Sequence, residues 1–268
     1  MKLKLIFLLC IVTATSSLQA QLVPVLREDL SLYQKKYFIL NNDTLPYRLL
    51  LPKDYDVNKK YPLILFLHGA GERGNDNEKE LVHGADLFLR DSIRQNYPAI
   101  IVFPQCPEES FWSNVKRDVT KTGEDRHIFQ TGGEPTTAMD LLQRLLKQII
   151  KNYPVQKKQI YVGGLSMGGM GTFEIVYRNP KLFAAAFPIC GGADVASAKR
   201  FSKTSWWIFH GGKDDVVLPQ FSQRIVTALE QLHADVKFTL YPEANHNSWD
   251  NAFAEPGLIP WLFSKKKK

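Results

Sequence analysis

Apolar residues in this chain gather in short runs, at 38–40, 47–51, 63–67, 99–103, 160–162, 184–189, 206–209 and 236–240, most of them unbroken and only 47–51 and 236–240 interrupted by Arg48, Lys237 and Thr239. Hydrophobicity that is continuous rather than alternating marks strands buried on both faces. The first two runs read as an opening hairpin, and the other six are separated by segments long enough to cross over. Residues 137–151 are one such segment, with Met139, Leu142, Leu145, Leu146, Ile149 and Ile150 at helical spacing. Residues 167–178 are another, free of proline until Pro180. The pattern predicts an α/β fold with a doubly wound, mostly parallel eight-stranded sheet and helices on both faces.

The start of the chain has a different character. Lys2 and Lys4 precede the apolar run 5–12, followed by small polar residues and Leu18-Gln19-Ala20. This pattern predicts a cleaved secretory signal over 1–20, a single domain over 21–268, and a secreted or periplasmic location. Cleavage at Cys10 to give a lipoprotein would leave an unusually short leader and is disfavoured. No later run approaches the roughly 20 apolar residues of a membrane helix, so no integral membrane segment is expected after signal removal.

Charge adds little. The formal net charge of +7 falls to +1 once Lys2, Lys4 and the four lysines at 265–268 are set aside. No basic stripe interleaved with aromatics points to nucleic acid. Cys106 and Cys190 each follow a predicted strand, and neither has the paired spacing of a metal site. Both are expected as buried or semi-buried thiols, with a bridge between them disfavoured because the strands they follow are not neighbours.

Chemistry enters at 160–171, where a short apolar strand runs into Gly164-Leu165-Ser166-Met167-Gly168 and then into a helix. A serine there sits on a turn so sharp that only small residues two before and two after it let the flanking chains pass. Taken alone, the pattern is also that of a serine in any glycine-rich turn. Three other strand ends supply what serine chemistry requires. Run 63–67 ends in His68-Gly69-Ala70-Gly71-Glu72-Arg73-Gly74, run 206–209 in His210-Gly211-Gly212-Lys213-Asp214-Asp215, and run 236–240 in Tyr241-Pro242-Glu243-Ala244-Asn245-His246. In a doubly wound sheet, reactive groups belong at these carboxyl ends.

A serine hydroxyl needs an imidazole to take its proton and a carboxylate to hold that imidazole. Ser166, Asp214 and His246 are the candidates, in that chain order, with Asp215 and then Glu243 as rivals for the acid. His68 and His210 abut glycine turns and read as structural, while His83, His127 and His233 have no supporting context. The oxyanion donors are expected from the backbone N–H groups of Met167 and Ala70. Residues 104–135 form a long connection containing Phe111, Trp112, Arg126, His127 and Phe129, expected to fold over the site as a partial lid or wall. Trp112, Glu72, Arg73 and Trp249 are candidate substrate contacts. Trp112 is either a stacking surface or a loop anchor, Glu72 and Arg73 either meet substrate or pair with each other, and Arg126 either binds a carboxylate or faces water.

The segments Tyr47-Arg48-Leu49-Leu50-Leu51-Pro52, Tyr61-Pro62 leading into Leu67-His68-Gly69-Ala70-Gly71-Glu72-Arg73-Gly74, and Gly164-Leu165-Ser166-Met167-Gly168-Gly169 resemble secreted α/β-hydrolase serine esterases. The resemblance is to bacterial predicted peptidase or phospholipase/carboxylesterase-like proteins, similar to feruloyl and acetylxylan esterases and, distantly, to prolyl oligopeptidase catalytic domains. His210-Gly211-x-x-Asp214 and Asn245-His246 with Trp249 match that group's acid and base motifs, which favours Asp214. The resemblance implies a strand order of 1-2-4-3-5-6-7-8 with the first pair antiparallel. It also implies ester hydrolysis through an acyl-enzyme, with acetyl or feruloyl esters of plant polysaccharides as candidate substrates and a small-molecule or oligosaccharide ester as partner. No metal or organic cofactor is expected. The alternatives are a serine peptidase of prolyl-oligopeptidase type acting on short peptides, and an inactive carbohydrate-binding or scaffold protein.

Overall fold

The computed structural model describes residues 29–118 and 120–267. The predicted signal at 1–20 and Cys10 lie outside the described residues. The chain opens with strands β1 (Gln34–Leu40) and β2 (Asp43–Leu50), an antiparallel hairpin in which Leu40 faces Asp43 across the pair Asn41-Asn42. Asn41 takes a φ of 54°, the left-handed conformation that tight hairpin turns demand and asparagine tolerates. Then follow β3 (Tyr61–Leu67), α1 (Ala85–Leu89), α2 (Asp91–Asn96), β4 (Ile100–Pro104), β5 (Val115–Arg117), β6 (His127–Phe129) and α3 (Thr137–Asn152). The second half runs β7 (Val155–Leu165), α4 (Met167–Arg178), β8 (Ala185–Ile189), α5 (Ala198–Phe201), β9 (Ser205–Gly211), α6 (Pro219–Gln231), β10 (Val236–Tyr241), α7 (Trp249–Ala254) and α8 (Leu258–Ser264).

Eight strands form one sheet in the order β1-β2-β4-β3-β7-β8-β9-β10. Each of the eight apolar runs became one of these strands. The order is the expected one, once the small hairpin β5–β6 is recognised as an insertion. β2 is antiparallel to both β1 and β4, and every pairing from β4 to β10 is parallel.

Burial on both faces is visible residue by residue. Along β3, Leu63, Leu65 and Leu67 join one core layer while Ile64 and Phe66 join the other. The first layer is closed by α3 and α6, through Leu142, Leu145, Ile149, Ile225 and Leu229. The second is closed by α1 and α8, through Phe88, Leu258, Ile259 and Leu262. Each such side chain contributes about 1.5–3 kcal/mol when fully buried, so the layers hold the strand ends rigidly in place. Cys106 and Cys190 are free and buried.

Residues 104–135 are not a plain loop. They carry the two-stranded antiparallel sheet β5–β6, whose three-residue strands are too short and too polar to show in the apolar pattern. The short helices α1, α2, α7 and α8 likewise left no clear period in the sequence.

Candidate active site

At the carboxyl end of β7 the chain turns into α4 through Ser166, whose φ of 54° and ψ of −115° lie outside the ordinary regions for an L-residue. The strain is held by packing and by one bond, from Ser166 N–H to Ile189 O at 2.9 Å. Gly164 and Gly168 are the residues that permit it. A Cβ on Gly168 would run into the carbonyls of Leu67 and His68, and one on Gly164 would strike the backbone of Gly168. The helix therefore starts against the end of β3, and the serine is lifted above the sheet.

Three side chains from three strand ends meet there. Ser166 Oγ lies 2.9 Å from His246 Nε2, and His246 Nδ1 lies 2.8 Å from Asp214 Oδ2. The other carboxylate oxygen, Asp214 Oδ1, accepts the backbone N–H groups of Val216 and Val217, each at 2.9 Å. Burial would raise the Asp214 carboxyl, but hydrogen bonds from His210, His246 and the Val217 N–H outweigh it and hold the group well below the usual carboxylate range. Asp214 is thus an anion at neutral pH, oriented toward the imidazole. Asp215, the neighbouring rival, is exposed.

The two other glycine-flanked histidines behave as expected. His68 Nδ1 sits 2.6 Å from Gly69 O, and its Nε2 accepts the Cys106 N–H at 2.9 Å. Its burial pushes the ring down to about 4, so it is neutral and pins the 69–74 loop to the end of β4. His210 is fully buried, with its nitrogens 2.7 Å from Ser222 Oγ and 2.8 Å from Val217 O, and it stands 3.3 Å behind Asp214 Oδ2.

A cavity of about 230 Å³ opens beside Ser166. One wall is Gly69, Ala70, Gly71 and Glu72; another is Phe111, Val115, Arg117 and His127; Val216, Val217 and Met170 lie toward β9, and His83 and Trp249 flank His246. Met167 begins α4 and Ala70 begins a 3-10 turn, so neither N–H has an acceptor within its own helix. Both residues border the cavity together with Ser166.

Of the expected substrate contacts, Glu72 and Trp249 line the cavity. Glu72 folds over Gly69 and has His83 Nε2 at 3.9 Å, while the Trp249 ring lies 5.5 Å from that of His246. Two expectations need correction. Trp112 is fully buried, packed edge-on against His68 at 5.5 Å and against Gly171, so it anchors the loop and presents no surface for stacking. Arg73 neither lines the cavity nor pairs with Glu72. Its Nε donates to Ala70 O (3.0 Å) and its Nη1 to Glu108 O (2.7 Å), and the guanidinium covers the Phe111 ring at 4.7 Å.

His83, Arg117, His127, Val216 and Val217 line the cavity without having been singled out as contacts. No motif marks them, because each reaches the site through a loop or a three-residue strand. Among the described residues, the cluster of metal-type donors is Cys190, Asp214 and His246. It coincides with the serine–imidazole–carboxylate chain, in which Asp214 and His246 are already engaged.

An eight-stranded sheet of this order, with its serine, acid and histidine following β7, β9 and β10, defines the α/β-hydrolase fold. The family model described as Phospholipase/Carboxylesterase matches residues 56–255, and the chain belongs to that family. This places it among the carboxylic ester hydrolases. Among curated proteins it is 28% identical over 195 residues to lysophospholipase-like protein 1 of Mus musculus, covering 68% of this chain and 79% of that one. It is 24% identical over 157 residues to the bifunctional acetylxylan esterase/xylanase XynS20E of Neocallimastix patriciarum, covering 53% of this chain and 23% of that one. Among solved structures, a thermostable esterase superposes with a TM-score of 0.78 at 32% identity, covering 88% of this chain and 63% of that chain. A ferulic acid esterase from Anaeromyces mucronatus superposes with a TM-score of 0.63 at 17% identity, covering 87% and 90%, a likeness of fold alone.

Proposed function

We propose that the chain hydrolyses carboxylic esters through an acyl-enzyme on Ser166. The observation that carries this reading is the continuous hydrogen-bonded chain Ser166–His246–Asp214, with links of 2.9 and 2.8 Å. His246 removes the hydroxyl proton as the oxygen attacks the ester carbonyl, and Asp214 holds the ring in the tautomer that leaves Nε2 free to accept it. The N–H groups of Ala70 and Met167 take the oxyanion, and the helix N-terminus at Met167 adds its partial positive charge. His246 then gives the proton to the departing alcohol. Water, activated by the same imidazole, releases the acid and restores Ser166.

Acetyl or feruloyl esters of plant polysaccharides are the natural candidates. Support comes from the resemblance to acetylxylan and feruloyl esterases and from a cavity bordered by Trp249 and Phe111, aromatic surfaces suited to a sugar or phenolic ring. The signal-like pattern at 1–20 supports export to the compartment where such polymers are met. Replacing Ser166 by Ala is expected to lower kcat on 4-nitrophenyl acetate by roughly 10⁴ or more with the circular dichroism spectrum unchanged. A folded Ser166→Ala protein of full activity excludes the mechanism.

A further inference from the structure

The wall contributed by the 104–135 insertion has its own electrostatic character. Arg117 and His127 are direct cross-strand partners in the β5–β6 ladder, so their side chains share one face of the hairpin, and both border the cavity that holds Ser166 and His246. His127 is only 6% exposed, yet its Nδ1 is buried with no hydrogen-bond partner. The adjacent Arg126 has a buried Nε that is also unpartnered. Unmatched donors at this depth are uncommon in a folded protein and costly to leave so.

Among the described residues, no acid forms an ion pair with Arg117 or Arg126. Asp118 is taken up by the hydroxyl and N–H of Thr120, Glu124 pairs with Arg224, and Asp214 faces His246. Arg73, the third cation nearby, is bonded to carbonyls and an aromatic ring rather than to a carboxylate. Burial, followed by the nearby Arg126 and Arg73, lowers the Arg117 guanidinium from its ordinary value. Burial, then Arg117 and Arg126, pushes His127 down to about 4, leaving it neutral and free to donate one hydrogen bond. In both groups burial is the larger cause, and the neighbouring positive charge adds to it. The one carboxylate that lines the cavity, Glu72, belongs to the opposite wall with Gly69 and His83.

We propose that the Arg117–His127 wall selects esters bearing a second, anionic group: the site takes substrates with a free carboxylate on either the acyl or the alcohol portion. The inference rests on the hydrolase reading above and deepens it by naming the substrate class. A carboxylate entering along this wall gains a charge-assisted bond from the Arg117 guanidinium, which lines the cavity and has no ion pair among the described residues. Glu72 repels the same group from the other side and so fixes the orientation of the ester across Ser166.

The test compares matched substrate pairs on the full chain. Monoethyl glutarate against ethyl glutaramate places the carboxylate on the acyl side; 4-acetoxybenzoate against 4-acetoxybenzamide places it on the alcohol side. In at least one pair the anion is expected to exceed the amide in kcat/KM by roughly tenfold, the scale of one charge-assisted hydrogen bond. The pair that shows it identifies the side. That ratio is expected to collapse toward one in Arg117→Gln, to be partly kept in Arg117→Lys, and to be unchanged in Lys116→Gln, which removes the same charge from an adjacent residue that is exposed like Arg117 but does not line the cavity. A ratio within one protein cancels any loss of folded enzyme. Turnover of 4-nitrophenyl acetate with no anion preference in either pair, or a preference that survives Arg117→Gln, overturns the inference and leaves the hydrolase reading standing. No turnover of any of the five esters overturns both.

Discussion

Arg73 and Phe111 lock the 69–74 loop to the cavity wall: the guanidinium lies 4.7 Å over the phenyl ring while its Nε donates to the carbonyl of Ala70. One side chain therefore fixes both the loop that carries a proposed oxyanion donor and the insertion that shapes the substrate side. A cation over an aromatic face contributes about 0.5–2 kcal/mol, and its bonds to Ala70 and Glu108 add to that.

Arg73→Ala is expected to keep the fold but let the Ala70 amide drift from its position. Transition-state stabilisation suffers more than substrate binding in that case, so kcat on 4-nitrophenyl acetate should fall about tenfold or more with a smaller change in KM. Steady-state kinetics of Arg73→Ala beside Arg73→Lys separate these effects. A KM change alone, with kcat intact, would show that Arg73 shapes binding and not the oxyanion hole.

Adjacent aspartates give a sharp contrast. Asp214 is buried and bonded to His246, whereas Asp215 points to solvent. Asp214→Asn is expected to present a donor to His246 Nδ1 and favour the wrong tautomer, with a loss in kcat of about 10⁴. Asp215→Asn should leave kcat within a factor of about two. Equal losses in the two variants would contradict the assignment.

Glu80 is fully buried, both its carboxylate oxygens lack hydrogen bonds, and Arg48 Nε approaches no closer than 3.8 Å. Burial, only partly offset by its own backbone N–H and Arg48, raises this carboxyl to about 7. The protonated form is thus the one the fold prefers. Its contribution to stability is complete below the unfolded value near 4.5 and is lost as pH rises through about 7. Glu80→Gln removes that loss. Relative to the parent chain, the variant should gain about 3 kcal/mol between pH 4 and pH 8 in urea unfolding. An identical difference at both pH values would place the ionisation of Glu80 outside the folding equilibrium.

Much of this architecture was legible before any coordinates. The apolar runs marked the strands, most clearly in the interior of the sheet, where strands buried on both faces must be continuously hydrophobic, and less clearly in the partly exposed edge strands β1 and β10. Ser166 announced itself through Gly164 and Gly168, whose lack of Cβ is a steric necessity at the turn. Asp214 and His246 followed from their position just past strand ends, though separating Asp214 from Asp215 needed the motif. The contacts around the site were far less readable. Trp112 carries the same side chain whether it anchors a loop or faces a sugar, and only its burial against His68 decides. Arg117 and His127 oppose each other through a hairpin of three-residue strands, a pairing that local pattern does not encode. His83 reaches the cavity from a polar loop with no period at all.

The central claim, that Ser166 is the nucleophile, is tested most directly by mass spectrometry of the protein quenched in acid after reaction with a fluorophosphonate. The account requires one adduct per chain, located on the peptide containing Ser166 and absent when His246 is replaced by Ala. An unmodified Ser166 in protein that still turns over 4-nitrophenyl acetate, or an adduct mapped to another residue, would contradict it.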